Sequence, residues 1–350
     1  VTIPEPVTGL WTLADAYMPK DAGSVFSCFA CAGGSTMGYK LAGFDVVGCN
    51  EIDPKVAAVY IKNHKPKHKY ICSIRDMLDK DLPDELYKLD ILDGSPPCTS
   101  FSMCGVRDQD WGKKKKFSEG QALQRLDDLF FEFIALAAKL QPKIVIAENV
   151  MGMVNGKARG YIKEIVQTYK EAGYTTQLFR LNAAQMGVPQ SRQRVFFVSR
   201  RNDLKLPPIR LRFNEKPITF GMAESWVSDS RKNRKPIKSA KVLHYWKKTI
   251  PGNDLGKAFR KENNRSGLFN TYRASKNKPV STLTSGDGCT HYSDPSYLSV
   301  SEWLACSSFP MDMAWPAGPA SKAKWFMGMS VPPFMVQRIA LEVRKQWLTE

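Results

Sequence analysis

The chain has little that would point to metal, redox or membrane chemistry. Only Cys28 and Cys31 among its eight cysteines (28, 31, 49, 72, 98, 104, 289 and 306) form a Cys-x-x-Cys pair. No second pair and no Cys-x-x-His completes a zinc site, so no metal is expected. The pair closes an apolar stretch instead of opening a helix, which sets aside thioredoxin-like exchange and leaves reduced thiols. The longest apolar run, around 129–140, is short and contains Glu132, so it reads as a core helix and no membrane association is expected. Residues 1–21 carry acids and prolines but no apolar leader, so no export signal is expected. Internal repeats and low-complexity tracts are absent as well.

What is present is charge, unevenly placed. The formal net charge is +17 over 350 residues. Residues 200–278 hold 21 Lys and Arg against 6 Asp and Glu, a net +15 in less than a quarter of the chain. Aromatics (Trp226, Tyr245, Trp246, Phe259, Tyr272) are interleaved with those charges. A solvated basic face is the plain alternative, but so local a concentration favours a polyanion-binding segment beside a nearly neutral catalytic body, with nucleic acid as the partner.

Strand and helix patterns alternate through the first two hundred residues. Strands are expected at 24–30, 45–50, 89–92, 144–147, 175–181 and 195–199, and helices at 35–42, 54–63, 123–140 and 161–172. This alternation implies an α/β fold, a mostly parallel Rossmann-like sheet with helices on both faces. After Arg201 the periodicity weakens, and a helix returns at 333–347. The expected organisation is a catalytic, cofactor-binding domain at 1–200, a smaller basic domain at 201–317 and a return segment at 318–350 that completes the first.

Five constellations stand out, three of them at the ends of strands, where open α/β sheets bind ligands. Phe29-Ala30-Cys31-Ala32-Gly33-Gly34 joins the first strand to the first helix, and Glu51 ends the next strand. A glycine pair, a helix N-terminus and an acid able to hold a ribose diol suit a nucleoside cofactor. The three-glycine dinucleotide pattern is missing, which argues against NAD. Gly94-Ser95-Pro96-Pro97-Cys98 sets a thiol on a stiff loop, where it can act as a nucleophile or simply pack in a turn. Ala147-Glu148-Asn149-Val150 puts an acid at a strand end, and Gln190-Ser191-Arg192-Gln193-Arg194 places two arginines on one face of an extended segment. Gly328-Met329-Ser330-Val331-Pro332-Pro333 precedes the last helix.

In this order, from about residue 24 to 344, these segments resemble the DNA (cytosine-5)-methyltransferase family. The resemblance implies methyl transfer from S-adenosylmethionine to carbon 5 of a cytosine flipped out of double-stranded DNA, in a short specific sequence. Cys98 is then the nucleophile on carbon 6. Glu148 holds the base, Arg194 binds its exocyclic oxygen, and Arg192 supports the site or a nearby phosphate. It also implies a cofactor pocket of Phe29, Ala30, Gly33, Gly34, Glu51, Ile52, Ser73, Ile74, Pro97, Leu129, Ser330 and Val331. Pro97 would separate cofactor from base. Ser100, Asn149, Gln190, Arg273 and Thr282 would serve the DNA side, as would Lys113 and Lys114 in the loop after Cys98. The basic region becomes a target-recognition region.

Three positions depart from the family: Cys31 for a glycine, Ser73 for an acid and Met329 for an asparagine. A transfer-RNA methyltransferase and a catalytically silent DNA-binding relative are the alternatives. A monomer is expected, a restriction endonuclease of the same specificity is a candidate partner, and the expected location is cytoplasmic, at a bacterial nucleoid or in a eukaryotic nucleus.

Overall fold

The computed structural model describes residues 3–16, 20–97, 128–154, 159–228, 231–286 and 288–348. The expected alternation is there: β1 (Ser24–Cys28), α1 (Gly34–Leu41), β2 (Asp45–Asn50), α2 (Pro54–His64), β3 (His68–Tyr70), α3 (Ile74–Leu78), β4 (Ile91–Gly94), α4 (Leu129–Leu140), β5 (Ile144–Val150), α5 (Arg159–Glu171) and β6 (Tyr174–Asn182). The short strand β7 (Gln190–Ser191) and the long β8 (Gln193–Arg201) follow. Seven strands make one sheet in the order β3-β2-β1-β4-β5-β8-β6. From β3 to β5 every pair is parallel, whereas β8 runs antiparallel to both β5 and β6. The stretch between β6 and β8 is too short for a crossover helix, so the chain turns straight back.

Several boundaries differ from expectation. β1 stops at Cys28 because Phe29 turns left-handed, with φ 53°. β5 reaches Val150, since β8 pairs along it as far as Arg194, so Glu148 lies inside a strand and not beyond its end. α4 begins at Leu129, and 123–127 lie outside the described residues. Local signals explain the helix ends. Asp53 caps α2, accepting from the Lys55 N–H at 2.8 Å, with Pro54 in the first turn. Gln141 closes α4 in the left-handed region just before Pro142.

The basic region carries α6 (Phe220–Ser225), β9 (Lys235–Pro236), α7 (Ala240–Lys248), α8 (Leu255–Asn263), β10 (Tyr272–Arg273), β11 (Val280–Ser281), β12 (Cys289–Thr290), β13 (Ser296–Tyr297) and α9 (Val300–Ser307). A four-stranded sheet runs β10-β12-β13-β9, while β11 pairs with β7. The return segment is α10 (Ala320–Met329) and α11 (Pro333–Val343). The expected helix to 347 gives way after Val343 to a π turn, Arg344–Leu348, where buried Arg344 reaches the Ala42 carbonyl at 3.1 Å and Asp21 at 2.9 Å.

Strand alternation sorts the core into two layers. Val25, Ile91, Ile146, Phe196 and Val198 face a cluster shared with α1 and α11. Phe26, Leu92, Val145, Val195 and Phe197 face a cluster shared with α3, α4 and α5. Phe220, Val280, Leu283, Leu298 and Trp303 of the basic region belong to the first of these. That region's own core is small: Ile237, Tyr245, Trp246, Leu255 and Phe259.

α1 and α11 touch closely at Gly38, where a Cβ would come within 2.6 Å of the Pro333 carbonyl and the Val336 Cβ. Helix propensity favours alanine over glycine by about 1 kcal/mol, but overpacking against backbone outweighs it. Gly38→Ala is expected to lower unfolding free energy by about 1–2 kcal/mol in urea titration. A stabilised variant would show that α11 can move away freely.

Candidate active site

The sheet order reverses between β1 and β4, and the loops leaving those two strands form the floor of the site. The loop after β1 is strained. Phe29 (φ 53°) and Cys31 (φ 47°) both occupy the left-handed region that favours glycine. Glu51 pins it: its carboxylate accepts the Cys31 N–H at 3.0 Å and the Asp53 N–H at 3.1 Å. Burial raises the Glu51 pKa, and the two backbone donors partly offset that rise. No cation pairs with it among the described residues, so its free lone pairs can accept further hydroxyls.

Gly33 and Gly34 are required by close packing. A Cβ on Gly33 would lie 2.2 Å from the His64 ring, and one on Gly34 would lie 2.1 Å from the Val331 carbonyl. The space on their Cβ side is filled by α2 and by the return segment, so these glycines let protein elements close in. His64 is buried, contacts the Ala32 carbonyl at 3.1 Å, and is pushed down by burial to about 3, so it stays neutral.

Ser73, where the family has an acid, caps α3. It accepts from the Arg75 N–H at 3.3 Å, while Asp76 accepts the Ser73 N–H at 3.1 Å. Ile74 and Leu129 are buried in the second cluster, with Phe29 packed against it. Ile52 is half-buried beside Glu51, Ala30 is buried, and Met329 is exposed. The Ser330 hydroxyl donates to the Phe326 carbonyl at 2.8 Å, and Val331 is buried.

At the other loop, Asn149 donates to the Pro96 carbonyl at 3.0 Å and so ties the root of the Pro96-Pro97 segment to β5. Cys98, Ser100, Lys113 and Lys114 lie outside the described residues. Glu148 and Arg194 form an ion pair, Oε1 to Nε 2.8 Å, with both side chains largely buried. Strand alternation puts Asp93, Glu148 and Arg194 on one face of the sheet.

Arg192 is 3 % exposed. It donates to the Leu283 carbonyl at 2.9 Å and the Gly328 carbonyl at 3.0 Å, while its Nε meets no partner. Burial depresses its pKa, and neighbouring Arg194 adds to the effect. A guanidinium so enclosed cannot reach a phosphate; Arg192 braces the site. Gln190 does likewise, accepting the Leu283 N–H at 3.1 Å and donating to the Cys306 carbonyl at 3.2 Å. The Thr282 hydroxyl donates to the Ser191 carbonyl at 2.8 Å. Arg273 also departs from expectation. It stacks 3.8 Å over Trp246 and donates to the carbonyls of Tyr292, Trp246 and Thr249, so it holds the basic region together instead of facing DNA.

Two clusters went unread in the sequence. Glu224, His291 and Glu302 offer three ligand atoms within 4.8 Å of one another. Arg234 already bridges both carboxylates at 2.5 Å, which makes this an ion-pair network. The second is Asp93, fully buried, accepting from the Ser27 hydroxyl at 3.0 Å and the Tyr39 hydroxyl at 3.1 Å. An acid inside a strand's apolar run carries no sequence mark that separates it from a solvated one.

Burial pushes the Asp93 carboxyl up to about 7; the hydroxyls restrain that rise and Glu148 adds to it. The folded protein therefore keeps this proton between about pH 4 and 7, where the unfolded chain has lost it. The contribution to stability is fully present below about pH 4 and falls as pH rises to 7. Relative to Asp93→Asn, the wild type should lose on the order of a few kcal/mol across that window, read from urea unfolding at each pH. Parallel curves would mean that Asp93 titrates normally.

Over residues 23–345 the chain matches the family described as C-5 cytosine-specific DNA methylase. It is 33% identical over 237 residues to the Type II methyltransferase M.FnuDI of Fusobacterium nucleatum, covering 67% of this chain and 58% of that protein. To M1.HphI of Haemophilus parahaemolyticus it is 28% identical over 335 residues, 91% of this chain and 85% of the relative. The match to M.NgoPII of Neisseria gonorrhoeae covers 49% of that protein, so the chain spans only about half of some of these relatives. Among solved structures, a DNA modification methyltransferase encoded in an Escherichia coli prophage superposes with TM-score 0.64 at 20% identity, over 92% of this chain and 99% of that one. A Spodoptera frugiperda DNMT2 variant superposes with TM-score 0.60 at 18% identity, over 91% and 99%. At those identities the superpositions speak to the fold alone.

Proposed function

We propose, from the premise that the chain belongs to the C-5 cytosine-specific DNA methylase family, that it methylates carbon 5 of a flipped-out cytosine in a short specific duplex sequence. The observation that carries this reading is the Glu148–Arg194 pair at 2.8 Å, next along β5 to Asn149, which anchors the loop leading to Cys98. An acid and a guanidinium side by side offer the acceptor and donors that a cytosine's ring nitrogen, amine and carbonyl require.

Carbon 5 of cytosine is too weak a nucleophile to take a methyl group unaided. Addition of the Cys98 thiolate to carbon 6 forms a carbon–sulfur bond and moves the ring's double-bond electrons to carbon 5. Glu148 holds the ring nitrogen and amine and offsets the charge that develops there, while Arg194 takes the exocyclic oxygen. Once carbon 5 carries the methyl group, its proton leaves to a base and the thiolate is expelled, which restores the aromatic ring. S-adenosylmethionine, when bound, supplies the electrophilic methyl group. The residues suited to it are Glu51, a buried acceptor without a cationic partner, and apolar Phe29, Ile74 and Leu129. The basic region at 201–317 serves as the target-recognition unit, with its phosphate contacts made by exposed lysines and arginines. The Type II designation of the relatives suggests a restriction endonuclease of matching specificity as a partner. Among the described residues, no helix is long and apolar enough to cross a membrane.

Incubation with labelled S-adenosylmethionine and mixed-sequence duplex, followed by base-resolution mapping, should give methylcytosine at one recurring context. Transfer to transfer RNA alone, or to neither substrate, would contradict the reading. On the mapped site, Glu148→Gln should slow single-turnover transfer by about 100-fold or more, with DNA affinity within a few-fold of wild type. A rate close to wild type would remove Glu148 from the chemistry.

A further inference from the structure

A second concave site lies on the outer edge of the sheet. It is a cleft of about 400 Å³ between the end of β6 and the segment at 211–214. Arg180, Asn182, Gln185, Arg212 and Asn214 line it, with Phe213 among its apolar walls. Both guanidiniums are exposed. No carboxylate lines the cleft, and the adjoining Glu215 is held by Arg338 at 3.0 Å. Neither the Arg180 nor the Arg212 side chain makes a hydrogen bond or an ion pair among the described residues.

The cleft is built on fixed backbone. Ile209 exchanges two hydrogen bonds with the Gln177 amide, at 2.9 and 3.1 Å, and the Glu215 N–H donates to the Gln185 carbonyl at 3.2 Å. The segment at 211–214 is therefore tied to β6 before Arg212 and to the turn that follows β6 after it. Two unpaired cations and three amides around an apolar wall suit a phosphate with a sugar attached. Arginine binds phosphate oxygens through its planar fork, and a cleft of this volume accepts a nucleotide-sized group.

Its location names the source. Leu181 pairs with Arg194 across β6 and β8 and shares its face, while Arg180, one position earlier on this edge strand, turns to the other face; the cleft begins one strand beyond Arg194 and two beyond Glu148, about 10 Å away. We propose that Arg180 and Arg212 clamp a backbone phosphodiester of the DNA close to the target cytosine, as positioning residues that set the strand's path past the site. This rests on the methyltransferase reading.

The test uses the wild type and an Arg180→Gln/Arg212→Gln double variant, both on the mapped duplex. Since both arginines are exposed, melting temperature should not change. The double variant should bind about tenfold more weakly, with a log–log salt slope shallower by about one to two and an unchanged single-turnover rate at saturating DNA. Replacing phosphates near the target one at a time with neutral methylphosphonates should weaken wild-type binding at one or two positions and leave the variant indifferent there. Equal affinity and slope for the two proteins, or equal sensitivity at every position, would overturn the clamp. A calorimetric titration with inorganic phosphate separates the sources: tight binding lost in the variant would assign the cleft to a free anion and overturn the DNA assignment. If wild type neither binds nor methylates any duplex, the functional reading itself falls and the clamp with it, an outcome seen before the variants are compared.

Discussion

One buried arginine organises the joint on which the site depends. Arg192 sits where β7 gives way to β8 and spends its hydrogen bonds on two backbone carbonyls, Leu283 and Gly328. Gln190 and Thr282 add three more bonds across the same seam, and β7 pairs with β11 beside them. The basic region and the return segment are thereby fixed to the strand that carries Arg194. An enclosed guanidinium is costly when it meets no carboxylate, and its Nε has no partner at all. Such an arrangement persists only where the surroundings over-determine it. Its consequence is that three distant stretches of chain meet within two residues of the Glu148 partner.

From that joint the rest of the site follows by strand geometry. Asp93, Glu148 and Arg194 share one face because side chains alternate along a strand. The return segment that Arg192 holds at Gly328 continues to Val331, whose carbonyl presses on Gly34. The Glu51 carboxylate holds the Cys31 N–H and so keeps a strained loop in place from the opposite side. The elements around Glu51 and those around Glu148 are thus coupled through backbone contacts. The buried Asp93 lies between them, with Ser27 of β1 and Tyr39 of α1 as its donors.

Much of this was legible in the chain itself. Alternating strand and helix patterns, capping residues such as Asp53 and the Pro-Pro loop are local signals, and they placed the sheet and its ligand edge. Less legible were the features that depend on where distant segments meet. Arg192 and Arg273 read as surface cations because nothing nearby in sequence encloses them; carbonyls from residues 19 to 136 positions away do so. Gly33 and Gly34 read as room for a ligand, and that their Cβ sides are closed by His64 and Val331 depends on segments remote in sequence. The reversal of β8 was hidden because an antiparallel strand buried on both faces has the same apolar run as a parallel one. Asp93 gave no signal, since burial alone distinguishes it from a solvated acid.

The central claim is a covalent adduct at the end of the Gly94-Ser95-Pro96-Pro97 loop, with the base held by Glu148 and Arg194. The most direct measurement is trapping on duplex DNA carrying 5-fluorocytosine at the mapped target, in the presence of S-adenosylmethionine. Fluorine on carbon 5 cannot leave as a proton does, so the enzyme should stay attached. The account predicts a stable protein–DNA complex whose digested peptide carries the modified base on Cys98, and no complex with Cys98→Ser. Full turnover without trapping, or a base attached to another residue, would contradict it.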